Sequence, residues 1–265
     1  MIKVGVISDI HQEWWPEENK NELENKIKET LYGSDFILFC GDIGPEIEGM
    51  RLATHLFPNV PCYYVNGNHE FYDFTVNQVL QKQMSIKSNV TFLHNDIATI
   101  NVRGKNIRII GSTLWTDFEL FGNRPLAMFD AKKNMNDYNS IRIVENNVQR
   151  LITPHDTYQW HISSKKFFEE NFDIPFDGIT IFMMHHPCAP FGIHPHFLAD
   201  SLTPAYASNL THLFTRPEVK LVAWGHTHYP LDCNIDDTRF VSGPMGYFQY
   251  GKSQTGCFGK IVEIE

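Results

Sequence analysis

The sequence predicts an α/β fold built on a mostly parallel sheet. Two observations carry this. Apolar, β-branched runs alternate with helix-length amphipathic stretches through the first third of the 265 residues. Five of the apolar runs each end in metal-binding residue types, and ligand sites form at the C-terminal ends of strands in such sheets.

The elements follow in order. Ile2 to Ser8 reads as a buried strand. Pro16, Glu17 and Glu18 open a charged helix reaching about Leu31, with proline and acids where a first turn favours them. Phe36 to Cys40 is a strand, Glu46 to Phe57 a helix, Cys62 to Val65 a strand and Thr75 to Met84 a helix. After a short strand at Thr91 to Leu93, Thr99 to Val102 and Ile107 to Gly111 flank Arg103-Gly104-Lys105-Asn106 as a hairpin. Leu114 to about Ser140 reads as irregular. Thr153-Pro154-His155-Asp156 is a helix start, and Tyr158, Ile162, Phe168 and Phe172 are expected on one face of that helix. Thr180 to Met184 and Lys220 to Trp224 are strands, with a helix near Leu202 to Phe214 between them. Leu231 to Ile235, Thr238 to Val241 and Gly259 to Ile264 finish the chain as strands. One domain over residues 1–265 is expected, with an inserted cap at about 114–175.

Composition narrows the function classes. A hydrophobic content of 42% supports a sizeable core. The net charge of −9 argues against a grip on long nucleic acid, while a small phosphate ester remains compatible because bound metal can reverse local charge. No run of about 18 apolar residues exists, so no membrane helix is expected. The N-terminus runs into a strand without a signal-peptide layout, and the five scattered cysteines read as reduced thiols, so the expected location is cytoplasmic. The sequence does not specify an oligomeric state.

The five strand ends are Asp9-Ile10-His11, Gly41-Asp42, Gly67-Asn68-His69-Glu70, His185-His186 and Gly225-His226-Thr227-His228. Asp9 and His11 are two apart, as are His226 and His228, which in extended chain puts both side chains on one side. Carboxylate, amide oxygen and imidazole, with no thiolate, suit manganese, iron or zinc. The donors are too many for one ion and suit two, bridged by a carboxylate, which could bind a phosphoryl oxygen and activate a water.

These blocks, in this order, resemble the signature of the calcineurin-like metallophosphoesterases over about residues 4 to 230. The resemblance implies a four-layer α/β/β/α sandwich with mixed sheets. It implies two divalent or trivalent metal ions, one held by Asp9, His11, Asp42 and His228, the other by Asp42, Asn68, His185 and His226, with Asp42 bridging. It implies hydrolysis of a phosphate mono- or diester by metal-activated water, with His69 as general acid. Where many members carry an acid that partners this histidine, the chain has Pro45, leaving Glu46, Glu70 or no residue to orient His69. A non-catalytic metal-binding scaffold or interaction module on the same fold is the alternative; it would be expected to lose ligands, and all are kept.

Further residues carry two readings each. His186 is a ligand-orienting or substrate-touching group. His194 and His196 are either exposed loop histidines or a substrate-binding rim, and Asn136, Asp137 and Tyr138 either a turn or part of the pocket. Gly246 to Ser253 fits the P-loop spacing. It is rejected because three of its four intervening residues are bulky aromatics and no helix-length pattern follows. Gly243 to Tyr247 is read instead as a loop beside the site.

Overall fold

The computed structural model describes residues 1–172, 174–249 and 252–265. Fifteen strands are present among them: β1 (Ile2–Ile7), β2 (Phe36–Cys40), β3 (Cys62–Val65), β4 (Val90–Phe92), β5 (Asp96–Val102), β6 (Lys105–Ser112), β7 (Arg142–Glu145), β8 (Val148–Leu151), β9 (Ile179–Met184), β10 (Val219–Trp224), β11 (Leu231–Ile235), β12 (Thr238–Ser242), β13 (Phe248–Gln249), β14 (Lys252–Ser253) and β15 (Lys260–Ile264). The helices are α1 (Lys20–Thr30), α2 (Glu48–Leu56), α3 (Val76–Ser85), α4 (Arg124–Asn134), α5 (Asp137–Ser140), α6 (Pro154–Phe172) and α7 (Thr211–Phe214).

Two mixed sheets pack face to face where the residue pattern alone predicted one parallel sheet. The first runs β15-β1-β2-β3-β4, the second β11-β12-β10-β9-β6-β5. In the first, β1 to β4 are parallel and β15 is antiparallel to β1. In the second, β6, β9, β10 and β12 are parallel, with β5 and β11 antiparallel at the edges. Alternation explains the layering. Val4, Val6, Phe36, Leu38, Tyr63 and Val65 meet Ile181, Met183, Leu221 and Ala223 of the second sheet. Ile37, Phe39 and Tyr64 point outward against α1 and α2 through Ile27, Met50 and Ala53. Phe182, Val222 and Trp224 point outward on the second sheet, where Phe168, Phe172 and Phe214 cover them. Strands buried on both faces read as continuous apolar runs, so one sheet and two cannot be told apart from the runs. The result is the four-layer α/β/β/α arrangement. Among the described residues no helix is long and apolar enough to cross a membrane.

Several local expectations differ. The hairpin turn is only Arg103-Gly104, both at positive φ (54° and 82°), as a two-residue turn matching strand twist requires. The stretch expected to be irregular contains α4, capped by Asn123 accepting from Leu126 N at 3.3 Å, with Pro125 in its first turn. On α6 the buried face runs through Thr157, His161, Ser164, Phe168 and Phe172, while Ile162 is 41% exposed. The helix expected near Leu202 to Phe214 is a 3₁₀ turn at Thr203–Ala205 and the short α7. Ser208 N and Leu210 N donate instead to Pro187 O and Cys188 O, which ties this chain to the loop after β9. Of the rejected P-loop match, Tyr250 and Gly251 lie outside the described residues; β13 and β14 on either side pair as an antiparallel ladder.

Residues between β6 and α6 pack with α3 and the turn after β3. Phe71, Val79, Trp115, Phe118, Ala131, Tyr138 and Ile141 form their common apolar cluster. This cluster sets α5 beside Asn68.

Candidate metal centre and catalytic cleft

The five strand ends meet where the C-terminal edges of the two sheets come together. Asp9, Asp42 and Asn68 follow β1, β2 and β3 of the first sheet. His185 and the pair His226 and His228 follow β9 and β10 of the second. The expected extended spacing is not how the pairs reach one side. Asp9 (φ 52°), His11 (48°), Asp42 (55°), His226 (72°) and His228 (48°) all adopt left-handed backbone. Non-glycine residues rarely do so, and such strain collects at functional sites.

Glycines make room for these groups. A Cβ on Gly67 would sit 2.0 Å from Asp42 Oδ1, and one on Gly225 would sit 2.7 Å from Asp9 Oδ2. Side chains there would push the carboxylates out of the centre.

Asp42 is the hub. Its Oδ1 accepts from His69 N at 2.9 Å. Its Oδ2 lies 3.4 Å from His185 Nε2, 3.9 Å from His11 Nε2 and 4.0 Å from His69 Nε2. Three donor groups converge closely enough to share a metal: Asp9, His11 and His228; Asp42, His185 and His226; and His11, Asp42 and His69. On one side, His11 Nε2 faces His228 Nε2 at 3.1 Å, and His228 Nε2 lies 3.5 Å from Asp9 Oδ1. On the other, Asn68 Oδ1 lies 3.1 Å from His185 Nε2.

The donors fit bound metal. His226 Nε2 is buried without a hydrogen-bond partner, which an ion would relieve. Two outer ring nitrogens are tied in ways that free the inward ones. His185 Nδ1 donates to Cys40 O at 2.9 Å, and His228 Nδ1 to Gln254 Oε1 at 2.8 Å. Such outer contacts orient metal-ligating imidazoles.

Burial opposes ionisation of Asp42, but the imidazoles of His185 and His69 outweigh it and hold the carboxyl well below its usual range. Burial disfavours the His69 imidazolium, yet Asp42 and Glu13 push its pKa up to about 9. Burial, reinforced by the neighbouring His185, keeps His186 and His226 well below the usual imidazole range and so neutral.

Neither acid considered for His69 reaches it. Glu70 turns inward and accepts from Asp42 N, Ile43 N, Gly67 N and Tyr64 Oη at 2.6–3.1 Å. It thereby ties the ends of β2 and β3 together. Glu46 pairs with Lys82. Glu13, in the 3₁₀ turn Gln12–Trp14, is the carboxylate beside His69, at 3.5 Å from Nδ1. The Tyr72 ring stacks on His69 at 4.2 Å.

A cleft of about 540 Å³ opens over this centre. His194, Asn136 and Asp137 line it; His186, His196 and Tyr138 do not. His186 is buried between the His226 ring at 4.1 Å and the Trp115 ring at 4.9 Å. His196 is exposed beside Phe197, and Tyr138 Oη pairs with Thr157 Oγ1 at 3.2 Å. Asp137 turns to Asn68, accepting from its Nδ2 at 2.8 Å and from Tyr72 Oη at 2.8 Å. Tyr247, in the loop expected beside the site, lies 4.5 Å from the His11 ring and 4.7 Å from that of His228. Glu13, Tyr72 and Gln254 carry no sequence signal, because each reaches the centre from a turn or loop outside the five blocks.

Two packed mixed sheets with a carboxylate, amide and imidazole cluster at their shared edge define a protein of the α/β/β/α class with a candidate metal centre. The comparisons agree: residues 2–230 match the family described as calcineurin-like phosphoesterase, and the chain belongs to that family. Its members are generally hydrolases of phosphate esters and typically bind two divalent metals. Protein L509 of Acanthamoeba polyphaga mimivirus is 24% identical over 233 residues, covering 80% of this chain and 78% of that protein. Phosphopantetheinyl hydrolase (PptH) from Mycobacterium tuberculosis shares the fold, with a TM-score of 0.66 at 17% identity over 98% of this chain and 95% of that one. A dimetal phosphatase from Danio rerio scores 0.47 at 14% identity, over 91% and 86%.

Proposed function

We propose that this protein is a dinuclear metal-dependent phosphoesterase that hydrolyses a small phosphate mono- or diester. The position of Asp42 carries the reading, with donor groups on both sides of one carboxylate and His69 beside it. Asp9, His11, Asp42 and His228 would hold one ion, and Asp42, Asn68, His185 and His226 the other. Manganese, iron or zinc suits this donor set. Two such ions would supply polarisation of the phosphoryl group and a lowered pKa for an attacking water.

The chain's own residues do the rest. Asp137 holds the Asn68 amide so that Oδ1 faces His185. Gln254 fixes the His228 tautomer. His69 delivers a proton to the leaving oxygen, with Glu13 and Tyr72 holding its ring. The stretch 114–175 acts as an inserted cap within a single domain, since α5 brings Asp137 to the site. The −9 net charge supports a small ester over long nucleic acid, and the five free thiols support a cytoplasmic setting.

The test is hydrolysis of aryl phosphate monoesters and diesters by purified protein of measured metal content, beside His69→Ala. Turnover that His69→Ala lowers by about 100-fold or more supports the reading. Two bound metals without turnover of any ester would favour the scaffold instead.

A further inference from the structure

The cleft is aromatic and nearly without cations. No lysine or arginine lines it among the described residues. Apart from His69 and the proposed ligands, its one basic group there is the imidazole of His194. Asp200 stands exposed on the rim, and Asp137 lies in the wall. Aromatic rings surround the opening. Trp14 is 48% exposed and meets Tyr247 edge to face at 4.9 Å. Phe197 is 53% exposed, and Tyr206 stacks on His226 at 4.9 Å.

Such a cleft discriminates by charge. The scissile phosphate would be met by the metal centre, so it needs no arginine. A second phosphate or a carboxylate elsewhere on the substrate finds no partner and faces Asp200, and like charges brought together in this way cost affinity. A planar group finds ring faces and edges to pack on, and a cationic one gains from the same rings.

Resting on the phosphoesterase reading, we infer that the substrate is an ester of a single phosphate whose organic group is planar and uncharged or cationic. Nucleoside di- and triphosphates and acidic phosphopeptides are excluded from the class.

The experiment isolates remote charge from the reaction itself. Phenyl phosphate is compared with two analogues carrying, through a para methylene, a carboxylate or a trimethylammonium group. All three are used as monoesters and as methyl diesters with the metal-replete protein. The expected result is a kcat/KM about tenfold lower for the carboxylate than for the neutral ester, with the cationic ester equal to or above the neutral one. Asp200→Lys should narrow the carboxylate penalty, and Phe197→Ala should raise KM for the neutral and cationic aryl esters. A carboxylate analogue turned over as well as the neutral one overturns the inference while leaving the phosphoesterase reading intact. No turnover of any of the six esters overturns that reading and this inference with it.

Discussion

Glu13 Oε1 lies 3.5 Å from His69 Nδ1, and the same oxygen lies 3.6 Å from His11 Nδ1. One carboxylate thus stands behind a proposed metal ligand and the proposed general acid. Its 3₁₀ turn follows directly on the left-handed His11, which bends the chain back over the centre. Glu13→Gln should therefore weaken leaving-group protonation. The expected loss is about 10–100-fold in kcat for an alkyl phosphate, against less than about threefold for p-nitrophenyl phosphate, whose leaving group needs no acid. An equal loss on both esters would remove Glu13 from this role.

His69 also makes stability depend on pH. Its folded pKa is about 9 against an ordinary value of 6.5. The raised value means that its stabilisation is fully present below about pH 6.5 and is lost as pH rises through about 9. In urea titrations of the metal-free protein, the stability gap between wild type and His69→Gln should close between those limits. A gap that widens with pH would contradict the pairing with Asp42 and Glu13.

Asp137 should govern metal affinity. With Asp137→Ala, Asn68 Nδ2 keeps only the Tyr72 hydroxyl at 3.2 Å. Affinity for one of two ions should fall by about 10–100-fold in a chelator competition, with the other unaffected.

Two glycine substitutions separate crowding from backbone strain. Gly67→Ala places a methyl against Asp42 Oδ1, and should cost about 1–3 kcal/mol and reduce metal binding. Gly104→Ala has open space around it but φ of +82°, and should cost about 1 kcal/mol with metal binding unchanged. Urea unfolding and metal titration of both variants check this.

Phe168 lies far in sequence from every proposed ligand and is fully buried, at 5.2 Å from the Phe182 ring. Phe168→Ala should cost about 3–5 kcal/mol in urea unfolding. The surviving folded fraction should bind metal normally.

The blocks that carry the candidate site were legible because each joins an apolar run to a polar end, and both signals are local. The existence of a hairpin around Gly104, though not its two-residue turn, and the Thr153 helix start were legible from local signals too; Thr153 N and Oγ1 both reach Asp156 at 2.7 Å. The helix expected near Leu202 to Phe214 was not, because its backbone groups pair with Pro187 and Cys188, which no local pattern reveals.

By itself the sequence determined the strands of the two large sheets, the order of the five blocks and the family they belong to, but not the small ladders β7-β8 and β13-β14. The apolar runs left open whether one sheet or two bring those blocks together, since doubly buried strands look alike in either; the family resemblance implied two, and the tertiary structure has them. It alone decided that left-handed backbone, not extended chain, aims Asp9, His11, His226 and His228 inward. It alone supplied Glu13, Tyr72 and Gln254, whose contacts depend on where separate turns and loops come to rest. Motif spacing records local geometry, whereas the partner of His69 is fixed by a distance across the fold.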